Sequence, residues 1–500
     1  MWLKLTNDKC TLHGPRTPEE VAWLRGFLTF GDPQSDKDPH AKPQISLYNV
    51  FDNSFPAGLL ALVKRELKAS GLPYKIEVAD TRERPCERVP LAEVTEHLAA
   101  YGCTLRPHQV EATEAAMKTS RGIVQLPTGT GKTTLAVAMI LSLPTRWLFV
   151  VDSAHLVEDA AARYRELTGR ECGMIKAGTF ITGDVVFATF QSIFPHMGEP
   201  AMQAYLRSVR AVLVDEAHVS GADTFFAVLG NLPNAYFRYG LSATPLNRGD
   251  RKSILAIAQL GSVCFKMTPG EAVERGLLAE PRITLLEVTQ KGSYGTGDHI
   301  SVFRTKYIVK SRRRNAAVLD AVERCAKPAL VFFTEEAHGH ILTKLIREEL
   351  GISCMMVWGK KTIGERKQAI AALKRRDVDV IVCSSVFTKG VDIPFLAGGV
   401  HAGGSKSVIN TLQRIGRGLR LDDGKEFFDW YDVGDCGHRM LVEHTRERET
   451  TYKQAGYKTR RVVSMKAAAI PDIDAKKGKE RLTSAAQVKW GTGGADLLED

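Results

Sequence analysis

Short apolar runs that alternate with segments of helical periodicity dominate the chain from about residue 105 to residue 433. The runs are rich in β-branched and aromatic residues and are bounded by glycine, proline or polar residues, which is typical of buried strands. They are 122–126, 145–151, 184–188, 211–214 and 238–241, then 329–333, 353–358, 378–383, 399–402 and 427–433. Strands that alternate with helices predict a parallel sheet between helices. The pattern therefore predicts two α/β domains in tandem, with a junction near 270–278 and Pro281.

Different patterns flank this region. Apolar residues recur at helical spacing over 17–28 and 58–67, and a strand-like stretch lies between them at 45–51, which predicts a small N-terminal α/β domain. Residues 453–489 hold ten Lys and Arg against three acidic residues, which predicts a short basic C-terminal tail. The predicted units are a small accessory domain, 1–95, which is expected to bind DNA, a first parallel-sheet domain, 96–280, a second, 281–444, and a basic extension, 445–500.

Composition narrows the class of protein. The chain has 500 residues, more than one hydrophobic core usually serves, so we expect several domains. The hydrophobic fraction of 44% is typical of globular domains. It contains no run of about 18 apolar residues and no secretion signal at the N-terminus, so we expect a cytoplasmic protein with no membrane segment. Nine scattered cysteines without a Cys-x-x-Cys pair argue against a disulfide framework or a zinc module. The net charge of +11 favours a polyphosphate partner such as nucleic acid.

A glycine-rich loop follows the first strand-like run and precedes a helical segment. It reads Thr128, Gly129, Thr130, Gly131, Lys132, Thr133, Thr134. Glycines let the backbone wrap around phosphates, Lys132 can neutralise the β and γ oxygens, and Thr133 can offer its hydroxyl to Mg²⁺. A strict phosphate-loop pattern has glycine where this chain has Leu126, so an ordinary glycine turn is the alternative. ATP and Mg²⁺ are the predicted cofactors.

A pair of carboxylates ends the run 211–214. Asp215 and Glu216 follow it directly, and His218 comes two residues later. In a parallel sheet, ligand chemistry collects at the carboxyl ends of the strands, beside the phosphate loop. Asp215 is therefore predicted to hold Mg²⁺, and Glu216 to orient and deprotonate the attacking water.

Four segments, 128–133, 215–218, 242–245 and 413–420, occur in the order found in superfamily 2 helicases, and the chain resembles that family from about residue 105 to 435. The family often lacks glycine at the Leu126 position. The resemblance implies a RecA-like fold for both parallel-sheet domains. It implies that Arg417 and Arg420 are arginine fingers, which complete the site when the cleft between the domains closes.

The same resemblance implies the other site residues. Gln413 joins the fingers in catalysis, while Arg106 and Gln109 recognise adenine and Gly390 and Asp392 contact the nucleotide. Ser242, Thr244 and His218 couple hydrolysis to domain movement. The residues implied to contact the nucleic-acid strand are Thr189, Gln191, Ser192 and Thr388.

The branch of the family bears on the substrate. The tetrad 215–218 ends in histidine, unlike the DEAD-box RNA helicases, and only 80 residues follow Arg420, too few for the DEAH-box RNA helicases. Segments 242–250 and 413–420 resemble the DNA-directed group of XPB, RadD, restriction-enzyme motors and UvsW-type phage helicases, the last being closest in layout. This implies a monomeric ATP-dependent DNA helicase or translocase that acts in recombination, repair or replication, in a bacterial cytoplasm if phage-encoded.

The implied substrates are single-stranded, duplex or branched DNA, including forks, D-loops, R-loops with their RNA–DNA hybrid, and four-way junctions. Three alternatives stay open: the motor subunit of a restriction or nuclease complex, an RNA-directed helicase, and a nucleotide-gated clamp that does not move along DNA.

Overall fold

A computed structural model describes residues 1–31, 44–151, 153–217, 223–243, 251–289, 304–359, 361–384, 393–405, 408–436 and 439–470. The strands of these residues form four sheets, of eight, seven, four and two strands. No helix within these ranges is long and apolar enough to cross a membrane.

The N-terminal elements form a small α/β unit. They are β1 (Trp2–Leu5), β2 (Lys9–His13), α1 (Pro18–Phe27), β3 (Thr29–Gly31), β4 (Gln44–Ser46), β5 (Ser54–Pro56), α2 (Leu60–Ser70) and β6 (Glu77–Asp80). The four-stranded sheet has the order β5-β2-β1-β6, with β1 antiparallel to β2 and parallel to β6. Residues on one face of the sheet, such as Leu3 and Cys10, are buried. The small N-terminal domain predicted from periodicity is therefore present.

The strand predicted at 45–51 is shorter in the structure. Only Gln44–Ser46 is a strand, and it pairs with β3. Residues 49–54 instead form a tight turn, closed by a bridge between Asn49 and Ser54. Asn53 adopts a left-handed conformation with φ of 50°. Asn and Asp side chains suit such turns, and they end the strand early.

The first parallel-sheet domain begins with two helices. Its elements are α3 (Leu91–Ala100), α4 (Pro107–Met117), β7 (Arg121–Gln125), α5 (Lys132–Ser142), β8 (Trp147–Val151), α6 (Ala154–Thr168), β9 (Gly173–Lys176), β10 (Thr179–Ile181), β11 (Val185–Thr189), α7 (Phe190–Ile193), α8 (Pro200–Ser208), β12 (Ala211–Val214), α9 (Asp223–Gly230), β13 (Phe237–Ser242), α10 (Arg251–Leu260), β14 (Val263–Lys266) and α11 (Pro269–Glu274). The sheet order is β10-β9-β11-β8-β12-β13-β7-β14. All neighbours are parallel except β9 and β10.

The second parallel-sheet domain follows α11. Its elements are β15 (Glu280–Val288), α12 (Arg312–Arg324), β16 (Ala329–Phe332), α13 (Glu336–Leu350), β17 (Cys354–Val357), α14 (Ile363–Arg375), β18 (Val380–Cys383), β19 (Gly398–His401), α15 (Val408–Gly418), β20 (Phe427–Asp435), α16 (Arg439–Gln454), β21 (Thr459–Val463) and α17 (Met465–Ala468). The order is β17-β18-β16-β19-β20-β15-β21, and all pairs are parallel. All ten strands predicted for the two domains are confirmed, while β9, β10, β14, β15 and β21 were not predicted.

Two predicted domain boundaries fall inside folded units. The boundary at 444 lies within α16, and β21 beyond it hydrogen-bonds in parallel to β15. Tyr452 on α16 is fully buried, which explains why this segment folds onto the sheet. The boundary at 95 lies within α3, which packs on α5 of the first parallel-sheet domain. Of the predicted basic tail, residues 445–470 therefore belong to the second domain, and 471–500 lie outside the described residues.

The N-terminal unit and the first parallel-sheet domain share one apolar core, which includes Leu59, Val63 and Ile254. A Cβ atom on Gly58 would lie 2.2 Å from the carbonyl oxygen of Ile257 on α10. The two units are thus packed backbone to backbone at this point.

A second close contact joins the domain junction to the C-terminal segment. The backbone N–H of Gly270 on α11 donates to the carbonyl of Ala455 at 3.0 Å. A Cβ atom on Gly270 would lie 3.3 Å from the Cα of Gly456, whose φ is 81°. The end of α16 therefore lies against the helix that connects the two parallel-sheet domains.

Candidate active site between the two parallel-sheet domains

The phosphate loop connects β7 to α5. Gly129 and Gly131 have φ values of 93° and 83°, in the left-handed region that favours glycine. A Cβ atom on Gly131 would lie 2.5 Å from Nε2 of Gln109, so the neighbouring side chain also excludes a larger residue. The loop delivers Lys132 and Thr133 to the first turn of α5, where backbone N–H groups and the helix dipole favour an anion.

Three side chains fix the loop. His108 Nε2 lies 2.8 Å from the carbonyl oxygen of Thr130, and burial lowers the pKa of this histidine. Gln109 Nε2 donates to the carbonyl of Gly131 at 3.0 Å, while its Oε1 accepts from the backbone N–H of Arg106 at 2.8 Å. The hydroxyl of Thr130 donates to the carbonyl of Pro127 at 2.8 Å.

These contacts give Gln109 a structural role beside the predicted adenine contact. Its amide links α4 to the phosphate loop, and its side chain is buried. The adenine contacts of Arg106 and Gln109 stay predictions. His108 is a loop support that sequence reasoning did not single out; its place beside Gln109, one residue before it on α4, was the available signal.

Lys132 lies close to the mouth of the loop. Its Nζ donates to the carbonyl of Leu126 at 3.4 Å, a long hydrogen bond that phosphate oxygens can replace. Thr133 is exposed and Thr134 is half-buried on the same helical turn. Lys132 and Thr133 thus lie on the first turn of α5, where an anion is favoured.

The carboxylates lie at the same edge of the sheet. Asp215 follows β12, and its backbone N–H donates to the carbonyl of Val150 at 2.9 Å. Glu216 has φ of 51°, and its N–H donates to Oδ1 of Asp215 at 2.9 Å. One strand, β13, separates β12 from β7, so the ends of β12 and β7 lie about 10 Å apart at this edge of the sheet.

The donor atoms suit Mg²⁺. The hydroxyl of Thr133 and the carboxylate of Asp215 are hard oxygen ligands, and Mg²⁺ in phosphoryl-transfer sites is held by one or two such groups together with substrate phosphates. The residues present thus fit the magnesium complex of a nucleoside triphosphate.

Ser242 connects the two parts of this edge. It ends β13, is fully buried, and its carbonyl accepts from the backbone N–H of Leu126 at 2.9 Å. It therefore lies between the carboxylates and the start of the phosphate loop. The other predicted coupling residues, His218 and Thr244, lie outside the described residues.

The segment that carries the predicted fingers contacts the phosphate loop from the second domain. A Cβ atom on Gly129 would lie 3.1 Å from Cγ of Arg420, and one on Gly416 would lie 2.9 Å from Cβ of Thr128. Gln413 and Arg417 on α15 are 4% and 7% exposed. Residues of both domains also line one small cavity, namely Pro127, Thr128, Ala243, Pro269, Leu278, Leu412, Gln413, Gly416 and Tyr457.

The structure thus brings the two predicted half-sites together. Tyr457 is buried at this interface, and Tyr452 is buried within the second domain. Leu278 at the interface was not singled out from the sequence, because an apolar residue after a helix carries no distinctive signal.

The predicted strand-contacting residues divide into two groups. Thr189 is 3% exposed and caps α7, since its Oγ1 accepts from the backbone N–H of Ser192 at 3.2 Å. The two hydroxyl groups lie 2.9 Å apart, and Gln191 between them is exposed. Thr388, Gly390 and Asp392 lie outside the described residues. Contact with nucleic acid stays a prediction for all four strand residues.

Two facing parallel-sheet domains, one with a phosphate loop and paired carboxylates and the other with an arginine-bearing helix, define a RecA-like nucleoside triphosphatase motor. Residues 102–247 match the family described as "Type III restriction enzyme, res subunit", and residues 314–422 match "Helicase conserved C-terminal domain". The chain belongs to the superfamily 2 helicases and is an ATPase of that class.

Named relatives support this assignment. The chain is 24% identical over 399 residues to "DNA 3'-5' translocase XPB2" of Sulfurisphaera tokodaii, covering 73% of this chain and 88% of the relative. It is 23% identical over 423 residues to "ATP-dependent DNA helicase uvsW" of Enterobacteria phage T4, covering 80% and 83%. It is 25% identical over 332 residues to "Putative helicase 22" of Sulfolobus islandicus filamentous virus, covering 61% of this chain but only 58% of that relative.

A solved structure shares the fold. The "ATP-dependent Type ISP restriction-modification enzyme LlaBIII bound to DNA" aligns with a TM-score of 0.56 at 18% identity, covering 72% of this chain and 32% of the other.

Proposed function

We propose that the protein is an ATP-dependent DNA helicase or translocase that unwinds or remodels branched DNA. The observation that carries the proposal is the contact of the finger helix α15 with the phosphate loop across the domain interface. An ATP site completed by two domains makes hydrolysis depend on their relative position, which is what a motor requires. The relatives whose names specify DNA support DNA as the track.

The proposed catalytic roles are as follows. Lys132 and the N-terminus of α5 bind the β and γ phosphates, and Thr133 and Asp215 would hold Mg²⁺. Bound ATP supplies the phosphoanhydride bond whose cleavage drives the motor. Glu216 orients the attacking water and accepts its proton. Arg417 and Arg420 stabilise the negative charge that develops on the transferred phosphoryl group, a contribution of about 10³–10⁵ in rate for such fingers.

Binding to DNA is expected to rest on phosphate contacts, because the chain carries a net charge of +11. Affinity should then fall steeply with salt and depend little on base sequence. Forks, D-loops, R-loops and four-way junctions are the proposed substrates. A DNA contact on the N-terminal domain is supported by three exposed basic side chains of α2, namely Lys64, Arg65 and Lys68.

The test is ATP hydrolysis and strand displacement measured on single-stranded, duplex, forked, four-way and RNA–DNA substrates. We expect many-fold stimulation of ATP hydrolysis by DNA, and loss of it in Lys132→Ala and Glu216→Gln. Matched controls are Glu114→Gln on α4 and Lys118→Ala directly after this helix, which change exposed residues of the same types. ATP hydrolysis that is not stimulated by DNA and is unchanged in both site variants would contradict the proposal.

A second candidate is the motor subunit of a restriction complex, which the family description of residues 102–247 favours. In that case DNA cleavage should appear when a nuclease subunit is added, and it should require Lys132. Strand displacement by the protein alone, without any cleavage in the presence of host extract, would favour the first candidate.

A further inference from the structure

The 49–54 turn of the N-terminal domain presents an aromatic side chain to solvent. Phe51 is 96% exposed, the highest value among large apolar side chains of the described residues, and the next is Met465 at 68%. Val50 beside it is 49% exposed. An isolated exposed apolar residue is ordinary, but a nearly complete exposure of phenylalanine is uncommon because its burial is strongly favourable.

The turn that carries Phe51 is held rigidly. Asn49 and Ser54 exchange two backbone hydrogen bonds of 2.7 and 3.1 Å. The backbone N–H of Phe51 donates to Oδ1 of Asn49 at 2.9 Å. Asp52 accepts from the hydroxyl of Ser54 at 2.6 Å and from Lys9 Nζ at 2.7 Å. The exposed ring is therefore presented by a fixed backbone, so little conformational entropy is lost when it contacts a partner.

A basic groove adjoins the turn. Asn53, two residues after Phe51, lines a groove of about 850 Å³ together with Arg16 and Arg25, both exposed. Tyr48 at the base of the turn donates to Oδ1 of Asn53 at 3.0 Å. Burial raises the pKa of Tyr48, and the positive charges of Arg16 and Arg25 oppose that rise, which places both guanidinium groups near the turn.

The combination of one aromatic ring with neighbouring arginines suits nucleic acid. Bases stack on aromatic side chains, and arginines bind the adjoining phosphates. A base is available for stacking where strands part, whereas in an intact duplex its faces are covered by its neighbours.

We propose that Phe51 stacks on an unpaired base at a DNA branch point while Arg16 and Arg25 hold the backbone of the same strand. The inference rests on the proposed function, since it assigns a branch contact to the same motor. The N-terminal domain shares a core with the first parallel-sheet domain, so this contact keeps a fixed position relative to the phosphate loop.

The experiment compares Phe51→Ala, Phe51→Leu and Phe51→Trp in the full chain, with Met465→Ala as the control for loss of an exposed apolar side chain. Fork binding is measured by fluorescence anisotropy, and stacking by the emission of 2-aminopurine placed at the branch. We expect about tenfold weaker fork binding for Ala and Leu, near wild-type binding for Trp, and a changed 2-aminopurine signal in the wild type and Trp only. Wild-type fork binding by all three variants, or a loss in Trp equal to that in Ala, overturns the proposal.

Two further readouts complete the test. Arg16→Gln and Arg25→Gln should each reduce the slope of log K against log salt by about 0.7 to 0.9, and an unchanged slope overturns the role of the groove. ATP hydrolysis by the control Met465→Ala at saturating DNA should equal that of the wild type. Absence of DNA-stimulated hydrolysis in the wild type contradicts the proposed function, whereas its presence together with a silent Phe51→Ala contradicts only this inference.

Discussion

Arg414, Arg417 and Arg420 share one segment but meet different surroundings. Arg414 faces the interior of the second domain, where its guanidinium contacts Nδ1 of His401 at 3.0 Å and lies over the ring of Phe332. Burial holds the pKa of His401 well below its usual range, so the imidazole is neutral and accepts this hydrogen bond. Arg420 instead lies against Gly129 of the phosphate loop, and Arg417 is 7% exposed on the same helix as Arg414. Arg414 is thus a structural residue within the same motif.

Substitution of Arg417 by alanine should lower DNA-stimulated ATP hydrolysis about 10³-fold, because a finger acts on the transition state, while DNA binding is retained. The measurements are steady-state phosphate release and fork binding on the same preparation. Arg375→Ala is the matched control, since Arg375 is exposed and pairs with Asp377 on the surface. Unchanged hydrolysis in Arg417→Ala contradicts the finger assignment.

Sequence reasoning at this scale found residue types but not all of their partners. The motif order located Lys132, Asp215 and Arg417 because their spacing along the chain reflects their chemistry. It could not show that Gln109 hydrogen-bonds to the phosphate loop or that Thr189 caps a helix. Those partners come together only when the backbone has folded.

At the scale of elements, α10 lies between the N-terminal unit and the first sheet. Gly58 contacts the carbonyls of Ile257 and Ala258, and Arg121 Nη2 donates to the carbonyl of Asn7 at 2.8 Å. Strand β7, which pairs with β13, leads directly into the phosphate loop, so the N-terminal unit packs close to the start of that loop. Strand periodicity predicted the central strands well. It gave no sign of this contact, because a glycine at an interface looks like any other glycine in a sequence.

Gly58→Ala should destabilise the protein by about 1–3 kcal/mol, because the added methyl group overpacks a backbone contact. Urea unfolding measures the change in the free energy of unfolding. The control is Gly230→Ala at the end of α9, where nothing lies within 4 Å of the added atom. Equal midpoints for the two variants would show that the interface yields easily.

A buried histidine between helices α12 and α13 should make the stability of the protein depend on pH. His338 on α13 is buried, its Nε2 lies 3.0 Å from Oδ1 of Asn315, and burial lowers its pKa to about 3. The unfolded chain binds a proton near pH 6.5 and the folded chain does not, so stability falls as the pH drops below 6.5. The loss is about 2 kcal/mol at pH 5. His338→Gln should flatten the unfolding free energy between pH 7 and pH 5 relative to the wild type; parallel curves would exclude this histidine as the cause.

At the scale of the whole molecule, the second domain is completed by residues that sequence reasoning assigned to a tail. Arg448 on α16 forms a buried ion pair with Asp432 at 2.8 Å, and the hydroxyl of Tyr452 donates to the same carboxylate at 2.6 Å. The positive charge of residues 453–489 suggested a solvated segment. Composition cannot show that the preceding residues Arg448 and Tyr452 bind a buried carboxylate, Asp432. Two parallel-sheet domains in tandem, by contrast, followed directly from the alternation of strands and helices, and the family resemblance added that they are RecA-like.

A chain that ends at residue 444 should therefore lose cooperative unfolding of the second domain, since Asp432 is left buried without Arg448, a change that costs about 3–5 kcal/mol. A chain that ends at residue 470 is the control and should keep both its unfolding midpoint and its ATP hydrolysis. Thermal unfolding followed by circular dichroism distinguishes them. If both chains unfold at the same temperature, the C-terminal helix is dispensable for the fold.

The backbone contact of Gly270 with Ala455 and Gly456 has a mechanical consequence. It places a pivot beside the ATP site, where the connecting helix and the end of α16 touch without intervening side chains. Rotation about a point near the nucleotide moves nearby atoms little and the distant ends of both domains much. We therefore expect a small closure of the cleft at this pivot to produce a larger displacement at the distant ends of the two domains.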